Sequence, residues 1–145
     1  MNDLENAKVD LTSLRNTVTG LQRSLQVLRD CTANPDASAD LRETVRAGVI
    51  QHFEIAYEVA WKMMKRWIEL YVSAEAVDGV SRRELFRWAA QNHLIDDVDR
   101  WMSFHGARNQ STHIYQEEIA VGVLELAGEF LPEAEALLTR LETRK

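Results

Sequence analysis

The residue types best suited to chemistry are concentrated in residues 108–115, whose sequence is RNQSTHIY. Arg108 can grip a phosphate with its planar guanidinium, and His113 can move protons near neutral pH. Tyr115 can donate a hydrogen bond or accept a modifying group. Together these side chains suit a phosphodiester substrate, with Arg108 stabilising the charged transition state. The same residues also suit a structural role at a helix junction, where they would pair with carboxylates and cap backbone groups.

The spacing of this segment constrains the backbone that carries it. His113 lies five positions after Arg108, and at 100° per residue the two would lie about 140° apart on a straight α-helix. Both side chains can face one site if the helix ends or kinks between them. We therefore predict a break in the helix, with Ser111 or Thr112 as the cap of a new helix.

A second set of candidates recurs every four residues in the pairs Phe53-Glu54, Tyr57-Glu58 and Trp61-Lys62. This spacing predicts an i,i+4 ion pair between Glu58 and Lys62. The functional interpretation is that Glu54 or Glu58 holds Arg108 in place and that Lys62 helps to bind or orient a substrate. The alternative is an aromatic core stripe beside a solvated charged stripe.

Two groups of basic residues could supply local positive potential or could simply be solvated helix faces. The first group is Lys62, Lys65 and Arg66, and the second is Arg82, Arg83 and Arg87.

Composition excludes several classes of site. None of the four histidines follows an acidic residue at the three-residue spacing of a di-iron bundle, and no phosphate-binding glycine loop is present. Cys31 is the single cysteine, so no disulfide within the chain and no multi-cysteine metal site can form. We therefore expect no cofactor and no metal.

Charge and hydropathy indicate the setting in which the protein works. The net charge of −6 argues against general binding to nucleic-acid backbone or to anionic membranes, while it allows a local basic site. No apolar run approaches the ~20 residues of a membrane span. The N-terminus, MNDLENAKVDL, has no apolar core of a secretion signal, so we expect a cytoplasmic protein.

Apolar periodicity predicts an all-α protein. The first helix has its apolar seam from Leu4 to Leu28 and stops near Thr32, and a second helix runs from about Ser38 to Ser73. A capping box at Ser81 opens a short third helix, which ends at residues 92–93. Three acidic residues, Asp96, Asp97 and Asp99, precede a fourth helix. The last helix begins after His113 and ends near Arg140, with a kink or a split expected at Pro132.

These elements predict an antiparallel up-and-down four-helix bundle with a short extra helix, forming one domain over residues 1–145.

The sequence resembles the nucleotidyltransferase substrate-binding protein family, a branch of the HEPN group of helical proteins. The resemblance extends in order from Leu4 to Leu141. It is carried by residues 49–54 (VIQHFE), Tyr57-Glu58, Trp61-Lys62, Phe86, residues 94–96 (LID), Trp101, Arg108-Asn109, His113 and Tyr115.

The resemblance implies a homodimeric helical bundle that pairs with a separate small nucleotidyltransferase chain. Some HEPN relatives are ribonuclease toxins of toxin–antitoxin pairs, which cut RNA without a metal by driving the 2′-hydroxyl onto the adjacent phosphate. By position, Arg108 would stabilise the transition state and His113 would transfer protons. Asn109 would orient the phosphate or His113, and Tyr115 would be the tyrosine that the partner nucleotidylates.

The resemblance therefore suggests either a nucleotide- or substrate-binding subunit or a ribonuclease toxin acting on RNA. A non-catalytic nucleotide-binding or protein-interaction module is the alternative from a different functional class.

Overall fold

The structure is a computed structural model that describes residues 9–144, and across this range it is helical without a β-strand. The five α-helices are α1 (Thr12–Ala33), α2 (Ala39–Tyr71), α3 (Arg82–Gln91), α4 (Val98–Gln110) and α5 (Glu117–Thr143). Two short 3-10 turns, Glu75–Val77 and Ser111–His113, precede α3 and α5. The all-α prediction is confirmed.

Helices α1, α2, α4 and α5 pack as an antiparallel bundle, and the short α3 lies against α2 and α4. Phe130 of α5 is fully buried at the centre of this bundle. Its ring meets Phe53 of α2 at 5.3 Å between centroids and Phe104 of α4 at 5.1 Å, both edge to face. Trp101 of α4 approaches Phe130 at 5.5 Å in the same way. Aromatic edge-to-face contacts therefore hold α2 and α4 against α5.

Helices α2 and α3 begin at serine caps, of which the sequence predicts the one at Ser81. Ser38 Oγ accepts the backbone N–H of Leu41 at the start of α2, and Ser81 Oγ accepts that of Glu84 at the start of α3. Such caps satisfy N–H groups that have no partner within the helix. At the other end of α3, His93 adopts a positive φ of 61°, which turns the chain towards α4.

Two predicted helix features differ in the structure. Helix α1 begins at Thr12, and Leu4 and Ala7 of its predicted seam lie outside the described residues. Helix α5 continues through Pro132 as one helix, so of the expected kink or split, the split is wrong. Phe130 and Ala134 on either side of the proline are both fully buried in the same core, and this shared packing outweighs the backbone hydrogen bond that the proline removes.

None of the helices within residues 9–144 combines the length and the apolar character that crossing a membrane requires.

Candidate functional site

Arg108 lies in the last turn of α4 and extends towards α2, where two carboxylates meet it. Its Nη1 is 3.3 Å from Glu54 Oε2, and its Nε is 3.6 Å from Glu58 Oε1. Glu54 and Glu58 are four residues apart and therefore project from the same face of α2. The Arg108 side chain is 29% exposed. Both carboxylates that the sequence analysis proposed as partners of Arg108 therefore lie next to its guanidinium.

Ser111 is a third partner of Arg108. Its hydroxyl donates to the carbonyl oxygen of Arg108 at 2.7 Å and accepts from Arg108 Nη1 at 3.2 Å. The residue is 4% exposed. The prediction that Ser111 or Thr112 caps the next helix is wrong, because α5 begins at Glu117 with Gln116 as its N-cap residue. The intervening 3-10 turn uses the Ser111 hydroxyl to close the end of α4.

These partners leave part of the guanidinium available. The Nε atom is buried and forms no hydrogen bond, because Glu58 Oε1 at 3.6 Å lies beyond hydrogen-bond reach. Nη2 forms no hydrogen bond to residues 9–144. An arginine has five N–H donors, so Arg108 can bind a further oxyanion while the carboxylates hold it.

His113 and Tyr115 form a second pair on the turn that follows α4. Tyr115 Oη lies 3.4 Å from His113 Nδ1, and the two rings meet edge to face at 6.0 Å between centroids. Tyr115 is 78% exposed, and His113 is exposed as well. The predicted break between Arg108 and His113 is present, since α4 ends at Gln110. Within the described residues no bond joins His113 to Arg108. The His113–Tyr115 pair therefore follows the Arg108 cluster along the chain without contacting it through a hydrogen bond.

The structure leaves Asn109 and Lys62 outside the Arg108 cluster. Asn109 is exposed, and its backbone carbonyl accepts a 3.5 Å hydrogen bond from Thr112. Lys62 Nζ lies 5.7 Å from the centroid of the Trp61 ring. The predicted Glu58–Lys62 ion pair is wrong, because Glu58 Oε2 instead accepts a 3.0 Å hydrogen bond from Trp61 Nε1.

Sequence reasoning missed a polar group beneath the Arg108 cluster. Tyr57 Oη lies 2.7 Å from His105 Nδ1, joining α2 to α4 one turn before Arg108. Burial raises the pKa of the Tyr57 phenol above its ordinary value, and burial together with Arg82 lowers the pKa of His105. The sequence signal was the i,i+3 spacing of His105 and Arg108, which places them on one side of α4.

Arg82 completes this group from α3. Its guanidinium carbon lies 3.3 Å from the centroid of the Trp61 ring, as in a close cation–π contact. Trp61 therefore contacts Arg82 through its ring and Glu58 through its Nε1 atom.

Residues 9–144 contain no group of three or more histidine, cysteine, aspartate or glutamate side chains arranged to hold a metal ion.

Comparison with solved structures defines the class of this helical protein. A Haemophilus influenzae structure, described as the fold of a substrate-binding domain of a nucleotidyltransferase, superimposes with a TM-score of 0.84 at 28% identity. It covers 92% of this chain and 99% of its own. A crystal structure from Thermus thermophilus shares the fold, with a TM-score of 0.61 at 23% identity over 83% of this chain and 98% of its own.

Comparison of the sequence identifies the family. Residues 9–143 match the family described as nucleotidyltransferase substrate binding protein like, and the protein belongs to that family. A relative from Haemophilus influenzae, named probable ribonuclease HepT, is 32% identical over 105 residues, which make up 72% of each chain.

Proposed function

We propose that this protein is a metal-independent endoribonuclease and that a partner nucleotidyltransferase restrains it, as in a toxin–antitoxin pair. The observation that carries the proposal is the position of Arg108, which three neighbouring side chains hold in place. Glu54, Glu58 and Ser111 fix its position, while Nη2 stays available for a phosphate. The sequence similarity to a probable ribonuclease also supports ribonuclease activity.

The chemistry assigned to the two basic side chains is transphosphorylation. His113 takes the proton of an RNA 2′-hydroxyl, and the 2′-oxygen attacks the adjacent phosphorus. The bond from phosphorus to the 5′-oxygen breaks, and that oxygen takes up a proton from water. The products are a 2′,3′-cyclic phosphate and a 5′-hydroxyl. Arg108 stabilises the extra negative charge of the transition state, and Asn109 orients the phosphate from its exposed position beside Arg108.

Tyr115 is the proposed site of restraint. Its exposed phenol can attack the α-phosphate of a nucleoside triphosphate held by the partner, which releases pyrophosphate and a proton. The resulting nucleotidyl group would stand beside His113, whose Nδ1 is 3.4 Å from Tyr115 Oη. The added bulk and negative charge at that distance would exclude an RNA phosphate from the site.

We propose a homodimer as the working form in the cytoplasm. Large apolar side chains are exposed on α2, α5 and the turn that carries Tyr115, and these suit a protein interface. They are Leu41, Ile55, Val121 and Tyr115, each at least 41% exposed. Sedimentation of the purified chain tests this directly, since a monomer at micromolar concentration would contradict it.

The test of the ribonuclease proposal uses the chain purified without its partner and incubated with single-stranded RNA in EDTA. Wild-type protein should produce fragments with 2′,3′-cyclic phosphate ends. Arg108→Ala and His113→Ala should each reduce the rate by about 100-fold or more. Arg83→Ala and His93→Asn are the matched controls and should cleave like wild type. The proposal would be contradicted if the wild-type protein did not cleave RNA, or if Arg108→Ala and His113→Ala cleaved it as fast as wild type.

One observation favours a non-catalytic nucleotide-binding module as the second candidate. Glu54 and Glu58 already neutralise the charge of Arg108 and could compete with an RNA phosphate. This candidate predicts saturable binding of a nucleotide that Arg108→Ala abolishes, together with no RNA cleavage by wild type.

A further inference from the structure

Arg82 forms no ion pair among the described residues, unlike the arginines that follow it on α3, although Glu58 is near enough to act on its pKa. Arg83 pairs with Asp99 at 2.9 Å, and Arg87 pairs with Glu84 at 3.4 Å. Arg82 forms no hydrogen bond or ion pair within residues 9–144, and its Nη1 atom is buried. A buried donor without an acceptor lowers the stability of the fold, and an acceptor bound from solution would satisfy it.

A cavity of about 330 Å³ lies beside Arg82, where α2, α3 and α4 meet. Its lining includes Lys65 of α2 and His105 of α4, and Ser81 brings in the N-terminal end of α3. No carboxylate lines this cavity, although the chain as a whole carries a net charge of −6. By contrast, a larger cavity beside Tyr115 contains Glu43 and Glu117 together with Arg42 and Arg46. The cavity beside Arg82 is thus a local basic site.

His105 adds an imidazole to this lining. Its Nδ1 lies 2.7 Å from the Tyr57 hydroxyl, and its Nε2 has no partner among the described residues. In the tautomer in which Tyr57 donates to Nδ1, Nε2 carries the imidazole proton and can donate it to an oxyanion. Arginine, lysine, an imidazole N–H and a helix N-terminus are all donors that oxyanions accept.

The cavity is next to the Arg108 cluster. His105 precedes Arg108 by three residues, a rise of about 4.5 Å along α4. Trp61 joins the two sites, since Arg82 lies on its ring and its Nε1 donates to Glu58, the partner of Arg108. A single RNA strand carries one phosphate per nucleotide, so one strand can occupy both places.

We propose that the cavity formed by Trp61, Arg82 and His105 is a second phosphate-binding subsite, which takes a backbone phosphate of the RNA bound at Arg108. The RNA as ligand rests on the proposed ribonuclease function, whereas the affinity for phosphate does not. The subsite fixes the register of the strand, so that the phosphate next to it lies at Arg108.

The first arm of the test titrates inorganic phosphate into the wild-type chain at constant ionic strength. The NMR signal of the Trp61 indole N–H should shift and saturate. Arg82→Gln should weaken this binding at least tenfold, while Arg83→Gln, the control, should leave it unchanged. Lys65→Gln should weaken it severalfold, and this variant decides the matter if Arg82→Gln fails to fold. Two outcomes overturn the proposal. One is a Trp61 N–H shift in wild type that rises linearly with phosphate and does not saturate, which indicates an adventitious ion only. The other is a phosphate affinity that stays unchanged in Arg82→Gln, or in Lys65→Gln if Arg82→Gln fails to fold.

The second arm uses a single-stranded 2′-O-methyl oligonucleotide, which binds but cannot be cleaved. Arg82→Gln, or Lys65→Gln if the former fails to fold, should weaken its affinity several- to tenfold. The slope of log K against log salt should fall by about 0.7. Unchanged oligonucleotide affinity would overturn the assignment to RNA. Absence of cleavage by wild type would count against the ribonuclease proposal alone, because neither arm depends on catalysis.

Discussion

The hydroxyl of Ser111 bonds to Arg108 at both ends of that residue. It donates to the Arg108 carbonyl oxygen at 2.7 Å and accepts from the guanidinium Nη1 at 3.2 Å. One buried hydroxyl thereby fixes the last turn of α4 and the side chain that leaves it. The same atom therefore closes the end of the helix and, together with Glu54 and Glu58, holds the arginine in its direction.

Ser111→Ala should lower both stability and activity. Removing the two hydrogen bonds should reduce the free energy of unfolding by about 1–2 kcal/mol and loosen Arg108. Urea denaturation measures the first effect and the rate of RNA cleavage the second. Ser103→Ala is the matched control, because Ser103 also donates to the carbonyl three residues earlier on α4 but does not contact a guanidinium. Equal effects of the two variants would argue against the double role of Ser111.

Glu58→Gln should slow RNA cleavage by about tenfold, mainly through kcat. The carboxylate positions Arg108 rather than touching the substrate, so loss of its charge should misplace the guanidinium in the transition state. Steady-state kinetics on a short RNA separates kcat from KM. Glu69→Gln on the same helix is the control and should leave both unchanged. A Glu58→Gln variant as fast as wild type would mean that Glu54 and Ser111 suffice to hold Arg108.

The stability of the protein should fall as pH decreases from about 7 towards 5. Burial and Arg82 lower the pKa of His105 in the folded state, whereas the unfolded chain has the ordinary value of 6.5. Between the two pKa values the unfolded chain binds a proton that the folded protein does not bind. The contribution of neutral His105 to the free energy of unfolding is therefore complete above the unfolded pKa, and it is lost as pH falls towards the folded pKa.

Chemical denaturation at a series of pH values measures this effect. His105→Asn keeps an acceptor near the Tyr57 hydroxyl and removes the titration, so its profile should be flatter than that of wild type. His93→Asn should retain the wild-type slope. A His105→Asn variant with the wild-type slope would assign the pH dependence to other groups.

Tyr115→Phe should abolish nucleotidylation by the partner enzyme while leaving most of the RNA cleavage. The phenol oxygen is the proposed acceptor, and its contact with His113 is long at 3.4 Å. Mass spectrometry after incubation with the nucleotidyltransferase and a nucleoside triphosphate detects the modification. Tyr71→Phe, the control at another exposed tyrosine, should be modified like wild type. Modification of the Tyr115→Phe variant would place the acceptor elsewhere.

The sequence by itself determined the helices and much of their ends. The caps at Ser38 and Ser81 depend on residues within three positions of one another, and so does the break after Gln110. The shared face of Glu54 and Glu58 follows from helical spacing alone. Interactions over such short distances are fixed by backbone geometry, so a sequence pattern is enough to predict them.

Tertiary structure decided which groups these side chains meet. Helical spacing gave Glu58 a partner in Lys62, but its Oε2 accepts from Trp61 Nε1 on the same helix, and packing brings Arg108 of α4 to its Oε1. Arg82 comes from a separate helix to lie on Trp61, and Phe130 and Ala134 keep α5 whole across Pro132. These outcomes depend on how each helix is rotated and placed against its neighbours. That rotation is set by burial of the whole core at once, and no local pattern contains it.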